Sequence, residues 1–366
     1  MATVESVQQA LSQVVDPLFE RSLGELQSIQ AVEADGDGFR VKLVLSSPDS
    51  SVQSSLEKGL RSAAEGEGVK NLSIDWDLRI PMRETAADDP LPEVRNIILV
   101  MSGKGGVGKS TVAANLALAL KRGGARVGLL DADMYGPSIP TMLGIEGAPS
   151  SKDGNSFEPL ERYGLKLMSV GFLLEDPRQA VVWRGPMLHG ALQQFLRSVQ
   201  WGPLDFLVLD MPPGTGDVAL SIAQEVKVSG AVVVTTPQEV ALQDVYKSIS
   251  MCKKMELPVL GVVENMSYFV DPAGQRHELF GAGGGEKAAQ FANSTLLGQI
   301  PIDPTVREQG DAGTPVVEGA PDSPIAKLFI ELAGKLASKA ALQHFKRGGG
   351  KKLPSTDQKK RLRVVS

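Results

Sequence analysis

The chain has 366 residues, 42% of them hydrophobic and 22% charged, with a formal net charge of -5, enough to bury one large core and a second small one. Its single cysteine, Cys252, excludes an internal disulfide framework and points to a reducing compartment, the cytoplasm. No stretch approaches the ~18 uninterrupted apolar residues of a membrane span, and residues 1–13 lack the basic-then-apolar order of a signal peptide.

Residues 4–15 set Val7, Leu11, Val14 and Val15 on one helical face, and Asp16-Pro17 stops that helix. Residues 39–45 alternate as a half-buried strand, 51–64 form a second amphipathic helix and 72–78 a second strand. This order predicts a small α+β domain over 1–80. Residues 81–94 carry three prolines and little apolar content, the composition of a linker. Over 95–340, apolar runs recur at 97–101, 127–130, 206–209, 231–234, 259–263 and 296–300, with helical stretches between most of them. Such runs are strands buried on both faces, so the expected fold is α/β, a doubly wound and mostly parallel sheet. From 345 to 366 the chain is basic, with Lys346, Arg347, Lys351, Lys352, Lys359, Lys360, Arg361 and Arg363 against Asp357 alone, and reads as a disordered tail.

Directly after the first of the apolar runs stands Gly103-Lys104-Gly105-Gly106-Val107-Gly108-Lys109-Ser110, followed by Thr111. In its strand–loop–helix setting, G-x-x-x-x-G-K-S is a phosphate-binding loop. The glycines let backbone N–H groups curl around phosphate, Lys109 reaches the β/γ phosphates, and the Ser110 hydroxyl reaches Mg²⁺. The expected ligand is ATP with Mg²⁺. Asp210 ends the run 206–209 where a metal-holding carboxylate belongs, and Asp131 and Asp133 end the run 127–130 beside the γ-phosphate.

The stretch from Lys104 to Ser110 resembles the deviant phosphate loop of the ATPase class that includes MinD, ParA and the nitrogenase iron protein. Residues 131–140 (DADMYGPSIP), 183–187 (WRGPM), 210–217 (DMPPGTGD) and 264–267 (ENMS) narrow the resemblance to the Mrp/ApbC iron–sulfur cluster carrier ATPases. Residues 1–80, with Asp16-Pro17 and Ser46-Ser47-Pro48, are similar to the iron–sulfur assembly domain often fused ahead of them. The resemblance implies a homodimer in which Lys104 crosses to the partner's phosphates, Asp133 activates the attacking water, and Asn265 faces the adenine. It also implies an iron–sulfur cluster as cargo, and scaffold or client apoproteins as partners.

Carriers of this family usually place Cys-x-x-Cys after E-N-M-S, yet Asp271 and Gly274 stand there, and Ser50 replaces the usual cysteine of the N-terminal domain. Clusters typically need about four thiolates, and a dimer of this chain has two copies of Cys252. Cys252 reads as a structural cysteine, and Asp271 and His277 as loop residues; no confident cluster ligand emerges. His189 and His344 read as structural or solvent-facing. Three functions stay open: an ATPase of iron–sulfur cluster assembly or transfer, a cluster-free ATP-dependent adaptor, and a MinD- or ParA-like positioning switch. Membrane insertion is not expected, because the tail has no apolar face; the basic tail could contact nucleic-acid phosphates but reads as a solvated segment, so nucleic-acid binding is not expected either.

Overall fold

The computed structural model of the chain describes residues 2–134, 136–151, 154, 156–173, 185–214 and 216–348. They divide into two compact units, one Arg83–Leu336, the other made of the residues up to Met82 together with those from Ala337 on. The basic tail from 349 onward lies outside the described residues.

The larger unit is built on an eight-stranded sheet. Its order is Leu296–Gln299, Val259–Glu264, Gly230–Thr235, Ile97–Ser102, Phe206–Asp210, Val127–Asp131, Leu165–Ser169 and Leu160–Arg162. All neighbours are parallel except the last pair, a hairpin. The central strands are buried along their whole length, which is why they read as unbroken apolar runs. Ile97–Ser102 sits between Phe206–Asp210 and Gly230–Thr235, so the chain winds away in both directions from it. That reversal opens a crevice at the strands' carboxyl ends. The expected sheet is thus present, with the two strands of 160–169 added at one edge.

The stretch 81–94 is packed rather than loose. Arg83 is buried, pairs with Asp89 (2.8 Å) and donates to the carbonyls of Val94 (3.2 Å) and Leu91 (2.7 Å). A buried guanidinium keeps its charge only with such a partner set.

In the smaller unit, helices Val4–Ser12 and Ser50–Gly66 pack Val7, Leu11, Leu56 and Leu60 onto a three-stranded sheet. Its order is Ile29–Asp35, Gly38–Leu45, Leu72–Leu78. The first helix stops at Ser12, three residues before the expected end, and Val15–Asp16 pairs instead with Arg21–Ser22. The last helix, Pro324–Arg347, runs into the segment expected to begin the tail, and its final turns belong to this unit. Phe345 packs against Phe19, ring centroids 4.7 Å apart and planes tilted by 50°, inside a cluster with Leu26 and Ala341. Ser338 donates to Asp49 (2.8 Å) and meets Ser47 at 2.9 Å. His344 is buried.

Candidate functional site

The phosphate loop leaves Ile97–Ser102 and enters the helix Lys109–Arg122 at Gly108. Gly106 and Gly108 both have φ of +80°, a conformation that L side chains adopt only under strain. Gly108 is required for a second reason: a Cβ there would lie 2.2 Å from the Asn265 amide. That amide donates to the Val107 carbonyl (2.9 Å), tying the 264–267 segment to the loop. Thr111 and Asn265 line a cavity of 680 Å³ with Pro137, Met266 and Phe280, apolar on balance and open at the loop's end.

Three carboxylates converge beneath the loop. Lys109 Nζ lies 2.5 Å from Asp210 Oδ1 and 3.8 Å from Asp133 Oδ2, and donates to Ser110 Oγ at 3.2 Å. The lysine therefore rests on the strand-end aspartate. Burial pushes the Asp210 carboxyl upward, against the opposing pull of Lys109. Its Oδ2 is buried and has no hydrogen-bond partner among the described residues. Asp131, fully buried, accepts from the Asp133 amide (3.1 Å), the Ile139 amide (3.3 Å) and Ser169 Oγ (3.1 Å). It thus fixes both ends of the loop that carries Asp133. Burial, then the charge of Asp210, raises its pKa to about 8. Lys104 is half-buried on the phosphate loop, whose Gly105 and Gly106 are exposed. In the 210–217 turn, the Gly214 amide donates to the Ser102 carbonyl (3.0 Å), holding that turn against the phosphate-loop strand. Tyr135, Trp183, Arg184 and Thr215 lie outside the described residues.

The sequence from 93 to 337 matches the family model described as the NUBPL iron-transfer P-loop NTPase, about two thirds of the chain. The chain belongs to this family. A second model, an iron–sulfur cluster assembly protein, matches 5–74. Among relatives of this P-loop NTPase, the iron–sulfur cluster carrier protein of Synechocystis is 44% identical over 93% of this chain and 99% of its own length. The carrier protein of Escherichia coli K12 is 46% identical over 88% of each. A nucleotide-binding protein of Archaeoglobus fulgidus, solved with ADP, is 42% identical and superposes with a TM-score of 0.55 over 63% of this chain and 92% of that one. No helix among the described residues is long and apolar enough to cross a membrane.

The positions where family members usually carry cluster cysteines lie in a hairpin, Phe269–Val270 pairing with Arg276–His277. Asp271 sits at its turn, accepting from the Ala273 and Gln275 amides (2.9 Å each) and facing His277 Nε2 at 2.8 Å. Gly274 holds φ of +81°. No group of three or more His, Cys, Asp or Glu side chains suited to a metal occurs among the described residues. Cys252 is fully buried on the helix Glu239–Lys254, 3.7 Å from the Met101 sulfur, and burial pushes its thiol up to about 11. It is a packed core side chain, and a thiol so held is a poor metal ligand.

One functional candidate escaped the sequence reading. Glu264 of E-N-M-S is fully buried, and its carboxylate collects three donors from separate parts of the chain. The only signal in the sequence is its place directly after the apolar run 259–263, at the head of the ENMS stretch.

Proposed function

We propose that this chain is a Mg²⁺-dependent ATPase that dimerises across its phosphate loops and acts in cytoplasmic iron–sulfur cluster assembly or transfer to apoproteins. The observation that carries the ATPase reading is the buried Asp210 carboxylate beneath a glycine cradle, its Oδ1 on Lys109 and its Oδ2 taking no hydrogen bond among the described residues. An orphaned carboxylate oxygen in a dry site calls for a cation. Ser110 and Asp210 would hold Mg²⁺, which supplies charge neutralisation on the phosphates when bound. Lys109, released from Asp210, takes the β/γ phosphates; Gly105 to Gly108 present amides to them; Asn265 and the cavity beside it take adenine. Asp133, fixed through Asp131, orients the attacking water. Lys104 reaches the partner's phosphates, as a cation placed where charge develops.

The names and family models of its relatives support a role with iron–sulfur cargo. With one buried thiol per chain, the cluster's thiolates come from the scaffold or client protein, and the nucleotide-driven step comes from this chain. ATP turnover of the purified chain, with and without a chelator and beside Asp210→Asn, tests the site. Loss of turnover in both cases is expected; chelator-resistant turnover would overturn the metal assignment. Light scattering with ATP tests the dimer, and a strictly monomeric ATP-bound chain would overturn it.

A further inference from the structure

Between Ser267 and Gly285 the chain leaves the sheet, makes the hairpin that ends in Asp271 and His277, and returns to begin the helix Gly284–Phe291. Both ends of this excursion are fastened to one side chain. Glu264 Oε1 accepts from Ser267 Oγ (2.5 Å) where the chain departs, and Oε2 accepts from the Gly285 amide (2.5 Å) where it returns. Gln299 Nε2 adds a third donor to Oε1 at 2.8 Å, from the neighbouring strand. The fit is close: a Cβ on Gly285 would lie 2.7 Å from the Glu264 Cβ.

The next residues face the nucleotide cavity. Asn265 bonds the phosphate-loop carbonyl of Val107, and Met266 lines the cavity in a left-handed conformation, φ +54°, that a side chain of its kind rarely adopts. Phe280, on the returning arm, lines the same cavity. A ligand in the cavity therefore touches the departing arm at Met266 and the returning arm at Phe280, while Glu264 holds the two arms together behind them.

We propose that Glu264 is the positioning residue that couples the nucleotide pocket to the 268–284 hairpin, through its simultaneous hold on Ser267 and Gly285. This rests on the nucleotide reading of the site given above. The physical warrant is a contiguous hydrogen-bond network on one buried carboxylate, with the Ser267 and Gly285 bonds buried and the Gln299 bond partly so, which tolerates few alternative arrangements. Because the occupied cavity presses on both arms, filling it restrains the hairpin; with the carboxylate replaced, the arms respond separately and the hairpin loses the signal. In this chain the hairpin carries no thiolates, so what it presents to a partner is its shape and its Asp271–His277 pair.

The test is amide hydrogen exchange of the full-length chain with and without Mg–ATP, with ATP affinity measured calorimetrically on the same samples. In the wild type, ATP should slow exchange across 268–284 by about tenfold. Glu264→Gln keeps the size but turns one acceptor oxygen into a donor; it should still bind ATP yet lose that slowing. A merely structural residue would instead raise exchange equally with and without ATP. Should Glu264→Gln fail to fold, Ser267→Ala releases only the departing arm and should reduce the ATP-dependent slowing over 268–277. Full slowing in Glu264→Gln, or in Ser267→Ala when that variant is used, overturns the proposal, as does a wild type that binds ATP without slowing. A wild type that binds no ATP overturns the nucleotide reading itself, and the coupling with it.

Discussion

Two loops leave the carboxyl ends of strands in one sheet and have opposite chemistry. The phosphate loop between Ile97–Ser102 and its helix offers amides, Lys109 and Ser110 over three converging aspartates. The hairpin after Val259–Glu264 offers a turn closed by Asp271 on its own amides and His277. Hard oxygen ligands with a lysine suit phosphate and Mg²⁺, whereas a soft cluster wants thiolates that this hairpin lacks. The difference teaches that the nucleotide machinery and the cargo ligands are separable parts of this fold: one can be intact while the other is absent.

The sharpest way to break the comparison is Lys109→Ala. The loop's shape is set by glycines, so the variant should fold, bind ATP weakly and lose about a hundredfold or more in turnover. Unchanged turnover in a folded variant would remove Lys109 from the chemistry. Lys104→Ala should cost less at the binding step: ATP affinity stays near wild type, while turnover per subunit falls about tenfold or more and ATP-dependent dimerisation weakens. Equal rates for variant and wild type would show that no lysine crosses between subunits.

The hairpin side is sharpened by grafting ligands onto it. After anaerobic reconstitution with iron and sulfide, the wild type should stay nearly free of iron, and the chain carrying Asp271→Cys with Gly274→Cys should hold about four irons per dimer. Gly274 sits at φ +81°, so cysteine there costs about 1–2 kcal/mol of backbone strain, less than a cluster's thiolate bonds return. At saturating ATP, turnover should not change, since Lys109, Asp133 and Asp210 lie outside the hairpin and its coupling to the nucleotide pocket acts on affinity. Four irons on a wild-type dimer, retained after Cys252→Ser, would show that other side chains serve as ligands.

What the sequence disclosed follows the same division. A phosphate loop is written locally, because each glycine answers a backbone demand within a few residues, and doubly buried strands announce themselves as apolar runs. The strands Ile29–Asp35 and Leu165–Ser169 are partly polar, so neither produced a run. Arg83 with Asp89 looked like linker composition, because nothing local says that a charged pair is buried. The contribution of Ser338 and Phe345 to the N-terminal unit depends on residues roughly three hundred positions away. In the sequence Glu264 stands out only as the head of ENMS: its donors arrive from Ser267, Gly285 and Gln299, and only the fold gathers them. Non-local contacts of this kind leave no periodicity to read.

The smallest expected effect concerns the Asp271–His277 pair. The hydrogen bond with His277, then that from the Gln275 amide, holds the Asp271 carboxyl below the usual carboxylate range. A carboxyl whose pKa is lower folded than unfolded adds to hairpin order above its unfolded value of about 3.9, and that contribution is lost as pH falls through the folded value. The pair lies at the surface, where such interactions are weak and screened by salt. Acidification should therefore loosen the turn locally: the Ala273 and Gln275 amides should exchange faster below about pH 4, relative to the intrinsic rate, while the rest of the sheet stays protected. Asp271→Asn should reproduce the loosening at neutral pH, leaving the thermal midpoint and ATP turnover unchanged. A clear fall in the thermal midpoint would mean that the hairpin braces the sheet, and the contrast between a built phosphate site and a surface turn without ligands would no longer hold.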